Sequence, residues 1–146
     1  MEQADRVREN TAQQINESID RDINAKVREY AMRPAEEITR RIGELDREWD
    51  IERLLEANAS VLALAGLLLG ARVDRRWLIL PGIVLPFLFQ HSIQGWCPPM
   101  PVLRRLGVRT RQEIDREKYA LKVLRGDFSG MGERPDPERA IQSAAA

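Results

Sequence analysis

A chain of 146 residues has room for one modest domain with tails, and its 32% charged residues and negative mean hydropathy look water-soluble on average. The formal net charge is zero and no segment has a basic excess without interleaved acids, which argues against nucleic acid as a partner. A single cysteine, Cys97, excludes an internal disulfide and an intrachain thiolate zinc cluster.

The average conceals segregation along the chain. Residues 1–56 carry a net charge of −5, residues 57–100 carry +2 and residues 101–146 carry +3. Between 57 and 100 the only charged residues are Arg72, Asp74, Arg75 and Arg76. The start, MEQADRVREN, has no apolar core near a cleavage site. A secretory signal is therefore not expected, and membrane insertion would use internal segments.

Residues 1–32 read as an amphipathic helix. Ile15, Ile19, Ile23 and Val27 recur every four residues among polar neighbours and line one narrow stripe, a candidate contact face. A lone helix of this kind is marginal in water. The pattern serves a solvated arm and a helix–helix contact equally. Pro34 breaks it and suits the opening of a new helix, with Glu36 and Glu37 where the helix dipole favours acids. Ile38, Ile42, Leu45 and Trp49 follow at helical spacing, a seam too short for a coiled coil. Asp50 is the expected N-cap of the next helix.

Leu54 to Ala71 is an 18-residue run with one charge, Glu56, near its start. At about 1.5 Å per residue it extends roughly 27 Å, close to the ~30 Å hydrocarbon thickness of a bilayer. A polar turn, Arg72 to Arg76, separates it from 27 uncharged residues, Trp77 to Leu103. The second span is placed near 77–96, with PPMP ending the helix. A buried helix pair in a soluble protein would need a cover that residues 1–53 and 104–146 have too few apolar groups to supply. Pro81 and Pro86 are tolerated in a span where neighbours satisfy the freed carbonyls.

Thr110 and Glu113 then form a capping box. Ile114, Tyr119, Leu121, Val123 and Leu124 give the following helix an apolar side, and Gly126 is its expected C-terminal cap. With bases nearby, residues 104–125 are expected as an interfacial helix at the headgroups. Residues 126–146, rich in Gly, Ser, Pro and Ala, are expected to be a disordered tail. Arg33, Arg40, Arg41, Arg47 and Arg53 precede the first span. Arg104, Arg105, Arg109, Arg111, Arg116 and Lys118 follow the second. These eleven outnumber the three arginines of the turn, which predicts both termini in the cytoplasm.

Residues 50–128 resemble the YgaP-like transmembrane domain family of small bacterial inner-membrane proteins. The matching stretches are Glu52-Arg53-Leu54-Leu55, Gly66-Leu-Leu-Leu-Gly70, Trp77-Leu-Ile-Leu-Pro-Gly82, Gly95-Trp96-Cys97-Pro98 and Lys118 to Phe128. Some members of that family carry a rhodanese domain, but nothing before residue 50 offers a βα alternation or an active-site cysteine loop. The resemblance implies a self-associating helical anchor in the bacterial inner membrane and no activity carried over.

Few residues suggest chemistry. Gly66 and Gly70, extended by Ala59 and Ala63, make a small-residue stripe. It serves a homodimer interface and packing within the chain equally. Cys97 is the candidate reactive thiol and His91, the only histidine, its one co-ligand. No acid or base is placed to activate the thiol, and cysteine is also a common apolar filler. Glu56 and Asn58 are polar groups at membrane depth, Glu56 near enough to the helix start to serve as an N-terminal acid.

The expected fold is an all-α membrane protein. Residues 1–49 form a soluble helical arm with a break at Pro34, and residues 50–103 a transmembrane hairpin with spans at about 54–71 and 77–96. The expected function is a non-enzymatic inner-membrane anchor or assembly protein without a cofactor or metal. It would be multi-pass and homo-oligomeric, with residues 1–49 open to a cytoplasmic protein. The alternative is a sulfur- or redox-linked membrane factor using Cys97 beside a separate sulfurtransferase.

Overall fold

The computed structural model describes residues 5–128, 137–138 and 141–142. Among them all regular structure is helical: α1 (Arg6–Glu9), α2 (Gln13–Ala31), α3 (Ala35–Leu45), α4 (Ile51–Arg72), a 3₁₀ turn (Arg75–Leu78), α5 (Ile79–Gln94), α6 (Met100–Arg105) and α7 (Arg111–Arg125). Most of the tail expected from residue 126 onward lies outside the described residues. The chain forms two compact units, the first from residues up to Ala12 and Asp50–Val108, the second from Gln13–Trp49 and the chain from Arg109 on.

The second unit is a small bundle of α2, α3 and α7. Ile19, Ile23 and Val27 of α2, Ile38, Ile42 and Leu45 of α3, and Ile114, Leu121 and Leu124 of α7 are buried in one core. The apolar side of α7 thus packs on α2 and α3 and is not free to lie on headgroups. The segment expected as one helix over 104–125 is two, α6 in the first unit and α7 in the second. Gly107, at φ 83°, turns the chain between them. The capping box forms as read: the Thr110 hydroxyl accepts from the Glu113 amide, and the Glu113 carboxylate accepts from the Thr110 amide at 2.8 Å. Gly126 closes α7 in the left-handed conformation.

The single helix expected over residues 1–32 is also divided. The Asp5 side chain caps α1, and the Thr11 hydroxyl donates to the Val7 carbonyl at 2.6 Å. The Asn10 carboxamide donates to the carbonyls of Arg6 and Gln94. Such side-chain bonds compete with continuing the helix. Val7 then joins Ile51, Leu55, Cys97 and Met100 in the core of the first unit.

In that unit α4 packs along α5. Asp50 caps α4 as expected, accepting from the Arg53 amide at 2.7 Å. Pro81 falls in the first turn of α5, where a missing N–H costs nothing, so only Pro86 interrupts the helix interior. Both α4 and the stretch Arg75–Gln94 are long and apolar enough to cross a membrane.

Candidate functional site

Gly66 and Gly70 are buried on the face of α4 that meets the segment starting α5. A methyl group built on Gly66 would overlap the Pro81 ring, and one on Gly70 would sit 2.6 Å from Leu78 Cδ2. The glycines therefore let α5 approach within the same chain. Ala63 is buried beside them and Ala59 is half-buried. The pairings Gly66–Pro81 and Gly70–Leu78 run in opposite order, so the two helices are antiparallel.

Toward the start of α4 and the end of α5 the helices part. The groove between them has a volume of about 520 Å³ and is closed at one end by Cys97, Pro98 and Pro99. Its walls are apolar, with Leu62 and Ala59 from α4 and Ile83 and Phe87 from α5. Only Asn58 on α4 and His91 on α5 bring side-chain nitrogen or oxygen to it. His91 is 8% exposed, and its Nδ1 has no hydrogen-bond partner among the described residues. Above this end, Arg6 donates to the carbonyls of Ser92 and Ile93 at 3.0 and 2.9 Å.

Cys97 is buried, 4% exposed. Burial pushes its thiol above the ordinary value, against a smaller opposing effect of a Met100 backbone hydrogen bond. A thiol held protonated is a poor nucleophile and a poor metal ligand. Among the described residues no three His, Cys, Asp or Glu side chains are grouped to hold a metal ion. The sulfur- or redox-linked alternative thus draws no support from the surroundings of Cys97.

The stripe of the N-terminal segment has its partners within the chain. Ile19, Ile23 and Val27 are buried in the bundle core, and Ile15 packs against its edge. In this structure they are seam residues of the bundle. Glu56 is exposed in the second turn of α4.

The densest polar constellation was not visible in the sequence. Glu117 of α7 is 0% exposed and accepts from Arg41 Nε at 2.9 Å and from Arg109 Nη1. Arg109 also grips Glu48, with Nε to Oε1 at 2.8 Å, and Arg41 reaches Glu44 at 3.1 Å. Burial alone would lower the pKa of both guanidinium groups. The surrounding carboxylates outweigh it and raise them. The geometry of this cluster is that of a tie between α3, the turn after it and α7. The only sequence signal was the helical spacing that puts Glu113 and Glu117 one turn apart. In the first unit Arg104 is buried likewise, donating to the Thr11 hydroxyl at 3.2 Å and the Val108 carbonyl at 3.1 Å. Arg41, Arg104 and Arg109, counted among the flanking bases, are thus all committed inside their units.

No family model matches the chain, and no curated protein or solved structure shows significant similarity to it.

Proposed function

We propose that this chain is a non-enzymatic anchor and assembly protein of a bacterial inner membrane. The helices α4 and α5 cross the bilayer as a hairpin, and the α2–α3–α7 bundle is its water-soluble part. The observation that carries this is the exposed outer surface of α4 and α5. Val61, Leu64, Ile79 and Phe89 are 66, 59, 68 and 68% exposed, and most of their apolar neighbours share that surface. An apolar belt of this extent is unfavourable in water and suited to lipid. Trp77 and Trp96, at opposite ends of α5, are both surface-exposed. Nineteen positions apart, they flank the 16 residues of α5, about 24 Å of helix, as aromatics at the two interfaces of a span do.

All three covalent links to the bundle, after Ala12, before Asp50 and after Val108, leave the first unit from the end where α4 begins and α5 finishes. With α4 and α5 read as a hairpin through the bilayer, these connections put the bundle on one side of it in this reading. The bias of flanking bases makes that side the cytoplasm. Partner proteins then meet the outside of the bundle, because its apolar stripe is already used. With Gly66 and Gly70 taken by α5, copies of the chain associate through the outward faces of the hairpin.

Alkaline carbonate extraction of membranes tests the anchor. The chain is expected in the pellet and in solution only with detergent. Release as a soluble monomer would overturn the reading. A reporter active only in the periplasm, fused after Ala146, should stay silent, and its activity would reverse the topology.

A further inference from the structure

The turn that joins α4 to α5 carries a cluster of positive charge with little to oppose it. Arg72 ends α4, and Arg75 and Arg76 open the 3₁₀ turn three and four positions on. All three are exposed, the Arg76 side chain almost wholly. The side chains of Arg72 and Arg75 have neither an ion pair nor a hydrogen bond among the described residues. Asp74 is the one acid between them, and its carboxylate serves the backbone, accepting from the Arg76 amide at 2.8 Å as an N-cap. It meets a guanidinium only at 4.0 Å, that of Arg76. The next acid back along α4 is Glu56, sixteen residues or roughly 24 Å away, and α5 and α6 contain none. Main-chain bonds hold the turn in shape: the amides of Val73 and Asp74 both donate to the Leu69 carbonyl, and the Trp77 amide to that of Asp74. Side chains of the opposite character share this end, since Val73, Trp77, Leu78 and Ile79 are all exposed.

We propose that this turn binds the headgroup phosphate of an anionic phospholipid through Arg72, Arg75 and Arg76, with Trp77, Leu78 and Ile79 against the acyl chains beside it. The proposal rests on the hairpin lying in the bilayer and concerns the leaflet that the turn reaches. A guanidinium pairs phosphate oxygens through two N–H donors at once. A zwitterionic lipid has the same phosphate but brings its own cation to a turn of net charge +2, so the preference is for lipids that are negative overall. Arginine stems lie along apolar surface while their heads reach the polar layer. A soluble polyanion would answer the arginines and leave the apolar rim in water, whereas a lipid answers both. Each base near an anionic surface contributes roughly a fivefold preference, so three arginines against one aspartate amount to on the order of thirtyfold. These arginines also run against the bias of bases that sets the topology, and a bound anionic lipid offsets their charge.

The test uses the full chain with Trp49→Phe and Trp96→Phe, which leaves Trp77 as its single tryptophan. It is reconstituted into vesicles that mix phosphatidylglycerol with phosphatidylcholine, one or the other brominated on its acyl chains. Bromine quenches over a short range, so Trp77 reports the lipid at the turn and not that at the far end of α5, about 24 Å away. Titrating each brominated lipid gives a ratio of association constants, expected on the order of thirtyfold in favour of phosphatidylglycerol and smaller at high salt. Arg72→Gln, Arg75→Gln and Arg76→Gln together should bring the ratio to about one. Asp74→Asn keeps a capping side chain but removes the charge, and should raise the ratio about fivefold. Equal quenching by the two lipids, or a preference that survives the triple substitution, would overturn the proposal and leave the anchor reading intact. Full competition by soluble glycerophosphoglycerol at constant ionic strength would also overturn it, marking a site for free phosphate esters. A chain that fails to float with vesicles of either lipid alone would overturn the anchor reading, and the proposal with it.

Discussion

Removing the Glu117 carboxylate should loosen the bundle more than removing any other charge in it. Glu117→Ala leaves Arg41 and Arg109, with side chains only 15 and 8% exposed, facing a void. Breaking one partner out of a buried ion pair typically costs about 3–5 kcal/mol, because the survivor stays desolvated. Both arginines keep a second carboxylate, Glu44 for Arg41 and Glu48 for Arg109, so the lower end applies. About 3 kcal/mol corresponds to roughly two powers of ten in an opening equilibrium. Amide hydrogen exchange of α7 in the full chain reads that equilibrium directly. The amides of Ile114–Leu124 are expected to exchange on the order of a hundredfold faster than in the parent. Glu44→Ala is the control, since its side chain is 51% exposed and such pairs contribute about 0–1 kcal/mol. An α7 whose exchange changes less than about threefold in Glu117→Ala, or no more than in Glu44→Ala, would refute the reasoning.

Gly66→Ala should destabilise the α4–α5 packing by about 1–3 kcal/mol, and Gly70→Ala by less, in detergent thermal unfolding. The first methyl meets the Pro81 ring and the Trp77 carbonyl, whereas the second meets the flexible end of Leu78. Equal losses would contradict that packing. Cys97 in the folded chain should react with maleimide far more slowly than after unfolding, given its burial and raised pKa, and reaction at the rate of a free thiol would show the site to be open. Lys118 holds the Asp46 carboxylate below its usual range through a direct hydrogen bond. A depressed folded value gives stability that is complete above the unfolded pKa of about 3.9 and lost as pH falls through the folded one. Asp46→Asn should therefore lower bundle stability near neutrality and lessen its acid sensitivity. A circular-dichroism acid titration identical to that of the parent would show that the pair contributes nothing. The effect is small, because the Asp46 side chain is half exposed.

The parts of the fold legible in the sequence are those with local causes. The Asp50 cap, the Thr110–Glu113 box, the Gly126 stop and the two long apolar helices all depend on residues within one or two turns of each other. The break between α1 and α2 was less legible. It depends on Asn10 reaching Gln94, 84 residues away, and on Val7 finding an apolar site between Ile51 and Met100. The groove was legible only as its components. Cys97 and His91 stood out as the single residues of their types, but Asn58 joins them across the space where α4 and α5 part.

The sequence by itself determined that this chain is helical, where most of its helices begin and end, and which two are apolar enough for a bilayer. Those properties follow from periodicity, capping and length, which each segment carries alone. Only the tertiary structure decided which faces meet. The stripe of Ile19, Ile23 and Val27 and the apolar side of α7 are each able to pair with many surfaces, because hydrophobic burial has no direction of its own. They found each other across some ninety residues of intervening chain, and Glu117, which alone reads as one more surface acid, was enclosed between two arginines in the process.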